Sequence, residues 1–257
     1  MYHVSMDINE RREEILKILA DREYVTVEEF SKGLGVSAVT IRTDLTSLEE
    51  SGLLIRTHGG AMKSSMKGEA RLISNTMIEN EVEKKAIAEK AASLIKPGNT
   101  IIIDSGSTTI HLIEHLKGKN ITVVTNNLLA LEKLKNEDDI KIIALGGSLR
   151  RESMGTVGPL AELAIKALNV DIYFMGAAAY DRSSIPSSDI SESSLKRYMM
   201  ESSDKVVFIA DSSKFGKKAF SNICSWREVD TFVSDKLDMD FRKELEEMGV
   251  EVIPVNE

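Results

Sequence analysis

The chain has 257 residues, of which 42% are hydrophobic and 29% charged, proportions that are typical of a globular protein and exclude a disordered or fibrous chain. Its 33 basic and 41 acidic residues leave a net charge of −8, so any nucleic-acid binding must be confined to a local surface. The single cysteine, Cys224, excludes an intramolecular disulfide, and the lack of a secretion signal or of about 18 consecutive apolar residues predicts a soluble, cytoplasmic protein without membrane contact.

The beginning of the chain carries two signals for the start of a helix. Asp7 and Glu10 lie three residues apart, which is the spacing of a capping box, where each side chain bonds a backbone N–H near the other. Thr26 and Glu29 repeat this spacing. We therefore predict two helices in this stretch, of which the second runs for about two turns and is ended by Gly35.

A third helix and a hairpin are predicted next. Ser37 is expected to cap the helix AVTIRTDLTSLEESG, in which Val39, Leu45 and Leu48 have the spacing of a buried face. The following residues 53–63, LLIRTHGGAMK, combine strand-forming side chains with a Gly-Gly turn. Three short helices followed by a hairpin of this size are typical of a helix-turn-helix with a wing.

The rest of the chain predicts a second domain of a different class. A small, polar stretch, KSSMKGEARLISN, separates it from the hairpin, and from Glu81 onward strands and helices alternate. Such alternation predicts a largely parallel sheet covered by helices. The predicted strands are Thr100–Asp104, Ile121–Thr125, Ile140–Leu145, Val170–Met175, Lys205–Ala210, Thr231–Val233 and, at an edge, Val250–Val255. The chain is thus expected to be an α/β protein with a DNA-binding domain at 1–62, a linker at 63–79 and a larger domain at 80–257.

The early residues of the third helix are candidates for contact with DNA, because a helix placed in this way can lie in the major groove. The predicted contacts are Ser37, Ala38, Thr40, Ile41, Arg42 and Thr43 on the helix, and Arg56, His58 and Lys63 on the wing. However, residues 1–62 hold 7 Lys or Arg against 11 Asp or Glu, whereas DNA-binding domains are usually basic. A small helical protein-interaction module therefore remains an alternative.

Polar turns follow several of the predicted strands, and ligands of open parallel sheets bind outside the carboxyl ends of strands. A turn that combines a small glycine and hydroxyls with a following amphipathic helix is suited to bind a phosphate. Side-chain amides are suited to bind sugar oxygens, and an arginine or a lysine can bind the phosphate. These turns predict one crevice, although ordinary turns would show the same residues. Its predicted lining is Asp104, Ser105, Gly106, Ser107, Thr108, Thr109, Thr125, Asn126, Asn127, Gly146, Gly147, Arg150 and Lys214.

Two histidines have the spacing of a possible metal site. His111 and His115 lie four residues apart with Glu114 between them, a spacing that can chelate a metal. No further cluster of Cys, Asp or Glu completes such a site, and charges on a solvated helix face explain the pattern. We therefore predict neither a metal nor a cofactor.

Two stretches resemble the DeoR-type family of bacterial repressors of sugar catabolism: VSAVTIRTDLTSLEESGLLIRTHGGA in the first domain and DSSKFGKKAF in the second. The resemblance extends over essentially the whole chain. It implies a winged helix-turn-helix that binds operator DNA as a homo-oligomer, either a dimer or a tetramer. The second domain would resemble sugar-phosphate isomerases of the ribose-phosphate isomerase type and bind a phosphorylated sugar.

The resemblance also assigns individual residues. It implies that Lys214 belongs to the effector pocket and that Asp181 and Lys196 occupy family positions. The family usually carries a basic residue where this chain has Thr43, so one phosphate contact would be missing.

The sequence therefore predicts a non-enzymatic transcriptional repressor of a carbohydrate-utilisation operon, controlled by a phosphorylated sugar. Two alternatives stay open. A sugar-phosphate isomerase-like enzyme could use Asp104, Asp181, Asp211 and Lys214 as acid and base groups. A phosphosugar-dependent protein-interaction module would neither turn over a sugar phosphate nor bind DNA.

Overall fold

The computed structural model divides into two compact units, Met1–Glu79 and Asn80–Glu257. Each unit has its own apolar core, as expected of separate domains. Within the described residues, no helix is both long enough and apolar enough to cross a membrane. The structure describes residues 6–22, 24–50, 53–57, 59–63 and 73–255.

The first unit is a small bundle of helices with a three-stranded antiparallel sheet in the order β1-β3-β2. The predicted helices and hairpin are confirmed, while β1 was not predicted because it is only three residues long. The elements are α1 Ile8–Asp21, β1 Tyr24–Thr26, α2 Val27–Leu34, α3 Ala38–Glu50, β2 Leu54–Thr57, β3 Gly60–Lys63 and α4 Ile73–Ile78. The last of these helices lies inside the stretch 63–79 that the sequence predicted to be a linker.

The predicted caps position α2 and α3. The Glu29 N–H donates to Thr26 Oγ1 at 3.1 Å and the Thr26 N–H donates to the Glu29 carboxylate at 2.8 Å, which completes the capping box. Gly35 ends α2 in a left-handed conformation with φ of 65°. The Thr40 N–H then donates to Ser37 Oγ at 3.1 Å, so Ser37 caps α3 as predicted.

The buried face of α3 differs from the prediction at its first turn. Ile41, Leu45 and Leu48 are 0%, 1% and 2% exposed, whereas Val39 is 70% exposed. Residues at spacings of four and three share one helix face, but Val39 precedes Ile41 by two positions and lies about 200° around the axis. The predictions that Val39 belongs to the core and that Ile41 contacts DNA are therefore wrong.

A buried carboxylate joins α1 to α3. Asp44 is 1% exposed and accepts hydrogen bonds from Arg11 Nε at 2.6 Å and Arg12 Nε at 3.2 Å. Two guanidinium groups compensate the buried negative charge, which would otherwise be costly. In the wing, Gly60 allows β3 to approach β1 closely, because a Cβ at this position would lie 2.2 Å from the Val25 carbonyl oxygen of β1.

The second unit is an α/β domain. Its elements are α5 Glu81–Ala92, β4 Thr100–Ile103, β5 Ile121–Thr125, α6 Leu128–Leu134, β6 Ile140–Ala144, β7 Ser148–Arg150, β8 Gly155–Val157, α7 Pro159–Lys166, β9 Val170–Met175, β10 Ser184–Ser187, α8 Ile190–Glu201, β11 Ser203–Ile209, β12 Ser221–Ser225, β13 Thr231–Ser234, α9 Met239–Glu247 and β14 Glu251–Pro254. Short 3₁₀ helices cover Thr109–His115, Ser212–Lys214 and Trp226–Glu228.

The main sheet has seven parallel strands in the order β14-β13-β11-β9-β4-β5-β6. This confirms the predicted α/β fold, all the predicted strands and the edge position of the last one. The chain builds outward from β4 through β5 to β6, and then returns to place β9, β11, β13 and β14 on the other side. The order therefore reverses between β4 and β9, which is where ligand crevices form in open parallel sheets.

The segment after β4 departs from the expected amphipathic helix. Residues Thr109–His115 form a 3₁₀ helix that is buried from Thr109 to Ile113. His111 is only 4% exposed, so its proposed place on a solvated helix face is wrong. Burial lowers the pKa of His111, although Glu114 opposes this shift. Ile110, Leu112 and Ile113 place apolar side chains on more than one side of this short helix, which explains why it is buried.

Candidate functional site

Two loops of the second unit meet at the point where the strand order reverses. The loop that begins at Asp104 follows β4, and the loop that begins at Gly176 follows β9. A Cβ on Gly106 would lie 3.3 Å from the Gly176 Cα and 2.9 Å from Thr109 Oγ1. Glycine at this position lets the two loops approach closely, and we refer to the region around these loops as the crevice.

A buried ion pair lies beneath these loops. Asp104 and Lys196 are 1% and 3% exposed and form a direct hydrogen-bonded pair. The Asp104 carboxylate also accepts hydrogen bonds from the Tyr173 hydroxyl at 3.1 Å and the Gly176 N–H at 2.9 Å. Lys196 donates to the Gly176 carbonyl at 2.9 Å. Burial, reinforced by the Asp104 charge, raises the pKa of Tyr173 well above its usual value, so this phenol remains a hydrogen-bond donor.

A second lysine reaches the same loop from the end of β11. Lys214 Nζ donates to Thr108 Oγ1 at 3.5 Å. Burial lowers the pKa of Lys214, and the Asp211 and Asp104 carboxylates oppose this shift. Burial would raise the pKa of Asp211, but Lys214, Ser213 and further lysines outweigh it and the pKa is lowered. Each of the two lysines therefore has a carboxylate partner: Lys196 is buried with Asp104 beneath the loops, and Lys214 interacts with Asp211 beside the loop after β4.

The residue that begins the second unit is connected to this lysine loop. Asn80 Nδ2 donates to Asp211 Oδ1 at 3.2 Å and to Ser213 Oγ at 2.9 Å. Asn80 has a left-handed backbone with φ of 52°, a conformation that asparagine tolerates better than most residues. The loop that carries Lys214 is thus hydrogen-bonded to the start of α5.

Three buried polar atoms around the crevice have no hydrogen-bond partner among the described residues. Two are Ser105 Oγ and Asn126 Oδ1, and the third is Asp211 Oδ2 of the carboxylate that acts on Lys214. A Cβ on Gly155 would lie 2.6 Å from Ser105 Oγ and 3.2 Å from Asn126 Nδ2, which places the two side chains next to the same glycine. A buried polar atom without a partner is costly, so this pair is suited to hydrogen bonds with a ligand.

The neighbouring predicted residues build the crevice wall. Thr125 Oγ1 donates to the Ile103 carbonyl at 2.6 Å, and Asn127 Oδ1 accepts from the backbone at the start of α6 while its Nδ2 donates to the Asp104 carbonyl at 3.2 Å. Thr109 Oγ1 closes the loop by bonding Gly106. These polar atoms are already bonded within the fold, and contact of Thr125 and Asn127 with a ligand stays a prediction.

Two further predicted residues have other partners. Arg150 lies 3.9 Å from each of the carboxylates of Glu152, Asp189 and Glu192, which neutralise its charge. Asp181 Oδ1 accepts hydrogen bonds from Ser183 and Ser184. The Ser183 hydroxyl is the main reason that the pKa of Asp181 is lowered. One oxygen of Asp181 therefore stabilises its own turn, and contact of Asp181 with a ligand stays a prediction.

The other predicted members are distributed as follows. Ser107 and Thr108 lie buried in the loop after β4. Gly147 has φ of 134°, and a Cβ there would lie 2.5 Å from the Val157 carbonyl oxygen, whereas a Cβ on Gly146 would meet no atom within 4 Å. Sequence reasoning overlooked Tyr173, Gly176 and Gly155. Gly176 directly follows a predicted strand, so the strand-end rule that selected Asp104 would also have found it.

The candidate DNA surface lies on α3 and the wing. Arg42 and Thr43 are exposed, and Thr43 Oγ1 donates to the Val39 carbonyl at 3.1 Å. The hydroxyls of Ser37 and Thr40 bond each other at 2.8 Å, beside the partly exposed Ala38.

The three predicted DNA contacts of the wing differ in their surroundings. Arg56 Nη1 donates to Thr46 Oγ1 at 2.6 Å and lies 3.7 Å from Glu49, so it extends along α3. His58 lies outside the described residues, and Lys63 ends β3. Among the side chains that the structure describes, no group of three or more His, Cys, Asp or Glu is arranged to hold a metal ion.

Comparisons with known proteins match both units. The model of the DeoR-like helix-turn-helix domain matches residues 11–66, and the model of the DeoR C terminal sensor domain matches residues 79–236. The HTH-type transcriptional regulator GlpR of Haloferax volcanii is 37% identical over 95% of this chain and 96% of its own length. The HTH-type transcriptional repressor GlcR of Bacillus subtilis is 30% identical over 95% of each chain.

Solved structures that are similar to part of this chain include an isomerase. Ribose 5 phosphate isomerase A from Neisseria gonorrhoeae has 24% identity and a TM-score of 0.38 over 52% of this chain and 53% of that chain.

Proposed function

Because the chain belongs to the DeoR family of transcriptional regulators, we propose that it represses a carbohydrate-utilisation operon and that a phosphorylated sugar controls its affinity for operator DNA. The observation that carries the effector proposal is the crevice at the reversal of strand order. There Lys214 contacts Thr108 of the loop after β4, the loop that also carries the unpartnered Ser105 Oγ. This combines a cationic site with free hydrogen-bonding groups.

Each part of the crevice has a proposed role. Lys214 and the loop residues Gly106, Ser107 and Thr108 bind the phosphate, because a small loop beside an ammonium group suits a compact anion. Ser105 Oγ and Asn126 Oδ1 bond sugar hydroxyls, which relieves their lack of partners. The Asp104–Lys196 pair holds the loops together from below and is not itself available to a ligand.

We infer a sensor rather than an enzyme. Oδ2 of Asp104 accepts hydrogen bonds from Lys196, Tyr173 and Gly176, so this oxygen is occupied within the fold and is not free to act as a general base. The relatives named above are regulators or repressors. A sensor is expected to bind the sugar phosphate without converting it, which product analysis after prolonged incubation would check.

The two units have separate proposed roles. Residues 1–62 bind operator DNA through α3 and the wing, residues 63–79 connect the units, and residues 80–257 bind the effector and assemble a dimer or tetramer. A homo-oligomer would present winged helices to two half-sites of a palindromic operator. Sedimentation of the full chain measures its oligomeric state, and a monomer at micromolar concentration would contradict the assembly.

Calorimetric titration with a panel of sugar phosphates, with and without operator DNA, tests the proposal. The effector must change operator affinity by the same factor by which operator changes effector affinity, typically about 5–150-fold. Lys214→Ala is expected to abolish effector binding and leave operator binding unchanged, whereas Lys218→Ala, at an exposed lysine nearby, should change neither. Equal effector affinity in both titrations would refute the control mechanism, and binding of no sugar phosphate would refute the effector class.

A further inference from the structure

Val39 has an unusual environment for an apolar residue of the first unit. It is 70% exposed in the second position of α3. Valine is less favourable than alanine in a helix because the helix restricts its side chain, and at this exposure little burial offsets that loss. The residue therefore contributes little to the stability of the unit that contains it.

The surroundings of Val39 give it a chemical role. Arg42 and Thr43 follow it by three and four positions, so all three side chains share one exposed face of α3; we term these three residues the reading face. The Thr43 hydroxyl donates to the Val39 carbonyl at 3.1 Å, and its one hydrogen is therefore used within the helix. The reading face thus offers a base an apolar surface beside the guanidinium of Arg42.

One group in the major groove matches an apolar surface. The C5-methyl of thymine projects into the groove, and side-chain methyl groups recognise it by direct contact. Given operator binding by α3, which is part of the proposed function, we propose that Val39 determines operator specificity by contacting a thymine methyl group next to the base or phosphate bound by Arg42. Thr43, whose hydroxyl is bonded within the helix, extends this apolar contact with its methyl group.

The test removes one methyl group at a time from the DNA. A duplex is first selected from a random library by the full chain, and each thymine is then replaced by deoxyuridine, which lacks only the C5-methyl. Affinity is measured by fluorescence anisotropy at fixed salt, because salt alone changes such affinities. At one thymine position of each half-site, a single replacement is expected to weaken binding about threefold to fivefold. This factor corresponds to the free energy gained by burying one methyl group.

Protein variants show whether Val39 makes this contact. In Val39→Ala the same deoxyuridine replacement should weaken binding less than about twofold, because the partner of the methyl group is gone. Val39→Thr keeps the branched shape and should retain part of the effect. Val82→Ala is the matched control, since Val82 is 78% exposed on a helix of the other unit, and it should behave as the unmodified chain.

The outcomes separate this inference from the proposed function. If the selected duplex binds tightly but every deoxyuridine replacement has the same effect on the unmodified chain and on Val39→Ala, the role of Val39 is refuted while operator binding stands. If the library yields no enriched duplex, operator binding itself is refuted, and the role of Val39 with it. Alanine favours helix, so a folding failure of Val39→Ala is not expected, and circular dichroism verifies this.

Discussion

Replacement of Lys196 by methionine tests the buried ion pair beneath the crevice. Asp104 and Lys196 are almost completely buried, and their side chains bond each other directly. Methionine has a similar length and no charge, so Lys196→Met leaves the Asp104 carboxylate buried without its cation. The substitution is expected to destabilise the second unit rather than to alter only its binding properties.

The structure sets the size of the effect. Breaking a buried ion pair by removing one partner costs about 3–5 kcal/mol, because the remaining charge stays desolvated. Asp104 would retain hydrogen bonds from Tyr173, Gly176 and Gly106, so we expect the lower end, about 3 kcal/mol. That is a large part of the roughly 5–15 kcal/mol by which a domain is stable.

The assay uses the single tryptophan of the chain. Trp226 is 1% exposed in the core of the second unit, so its fluorescence during urea unfolding reports on this unit alone. Lys205→Met is the matched control, because the Lys205–Glu251 pair is 3.2 Å long but substantially exposed and is worth at most about 1 kcal/mol. The double variant Asp104→Asn, Lys196→Met should recover part of the lost stability. If Lys196→Met costs no more than Lys205→Met, the Asp104 charge is not buried as described and the reasoning is refuted.

Three further predictions follow from individual contacts. Asn80→Gly keeps the left-handed backbone but removes the bonds to the lysine loop, so the effector response of operator binding should weaken; Asn120→Gly, also at positive φ, should not change it. Ile41→Ala should destabilise the first unit by about 2–5 kcal/mol in a circular-dichroism melt, whereas Val39→Ala should not. Effector affinity should fall as pH rises through the pKa of Lys214, which burial lowers, because the ammonium loses its proton, and a calorimetric affinity that does not fall on approach to the ordinary lysine value of 10.5 would contradict this.

The sheet could be predicted from sequence because its strands are continuous apolar runs. Ile101, Ile102 and Ile103 are all fully buried, as both faces of a parallel sheet are covered by helices. The strand ends could also be predicted, since polar residues and glycine interrupt each run. The buried face of α3 was harder, because Val39 and Ile41 are both branched and only the register with Leu45 and Leu48 separates them.

The partners within the crevice could not be predicted. Asp104 bonds Tyr173 and Lys196, which lie 69 and 92 positions later in the chain, and periodicity carries no information about such pairs. Composition also does not tell whether a polar atom faces the backbone or a ligand. Thr125 and Asn126 are adjacent polar residues at the end of β5. The Thr125 hydroxyl donates to the Ile103 carbonyl, whereas Asn126 Oδ1 has no hydrogen-bond partner among the described residues.

The acidic character of the first domain is compatible with DNA binding because of where its carboxylates lie. Asp44 is buried against Arg11 and Arg12, so this acid on α3 does not repel a phosphate, although it also occupies two arginines. The residues of α3 before Asp44 include one basic side chain, Arg42, and no acid. Each phosphate contact contributes about −0.9 to the logarithmic dependence of affinity on salt. A surface with few cations therefore depends on contacts with bases, such as the one proposed for Val39, for much of its selectivity.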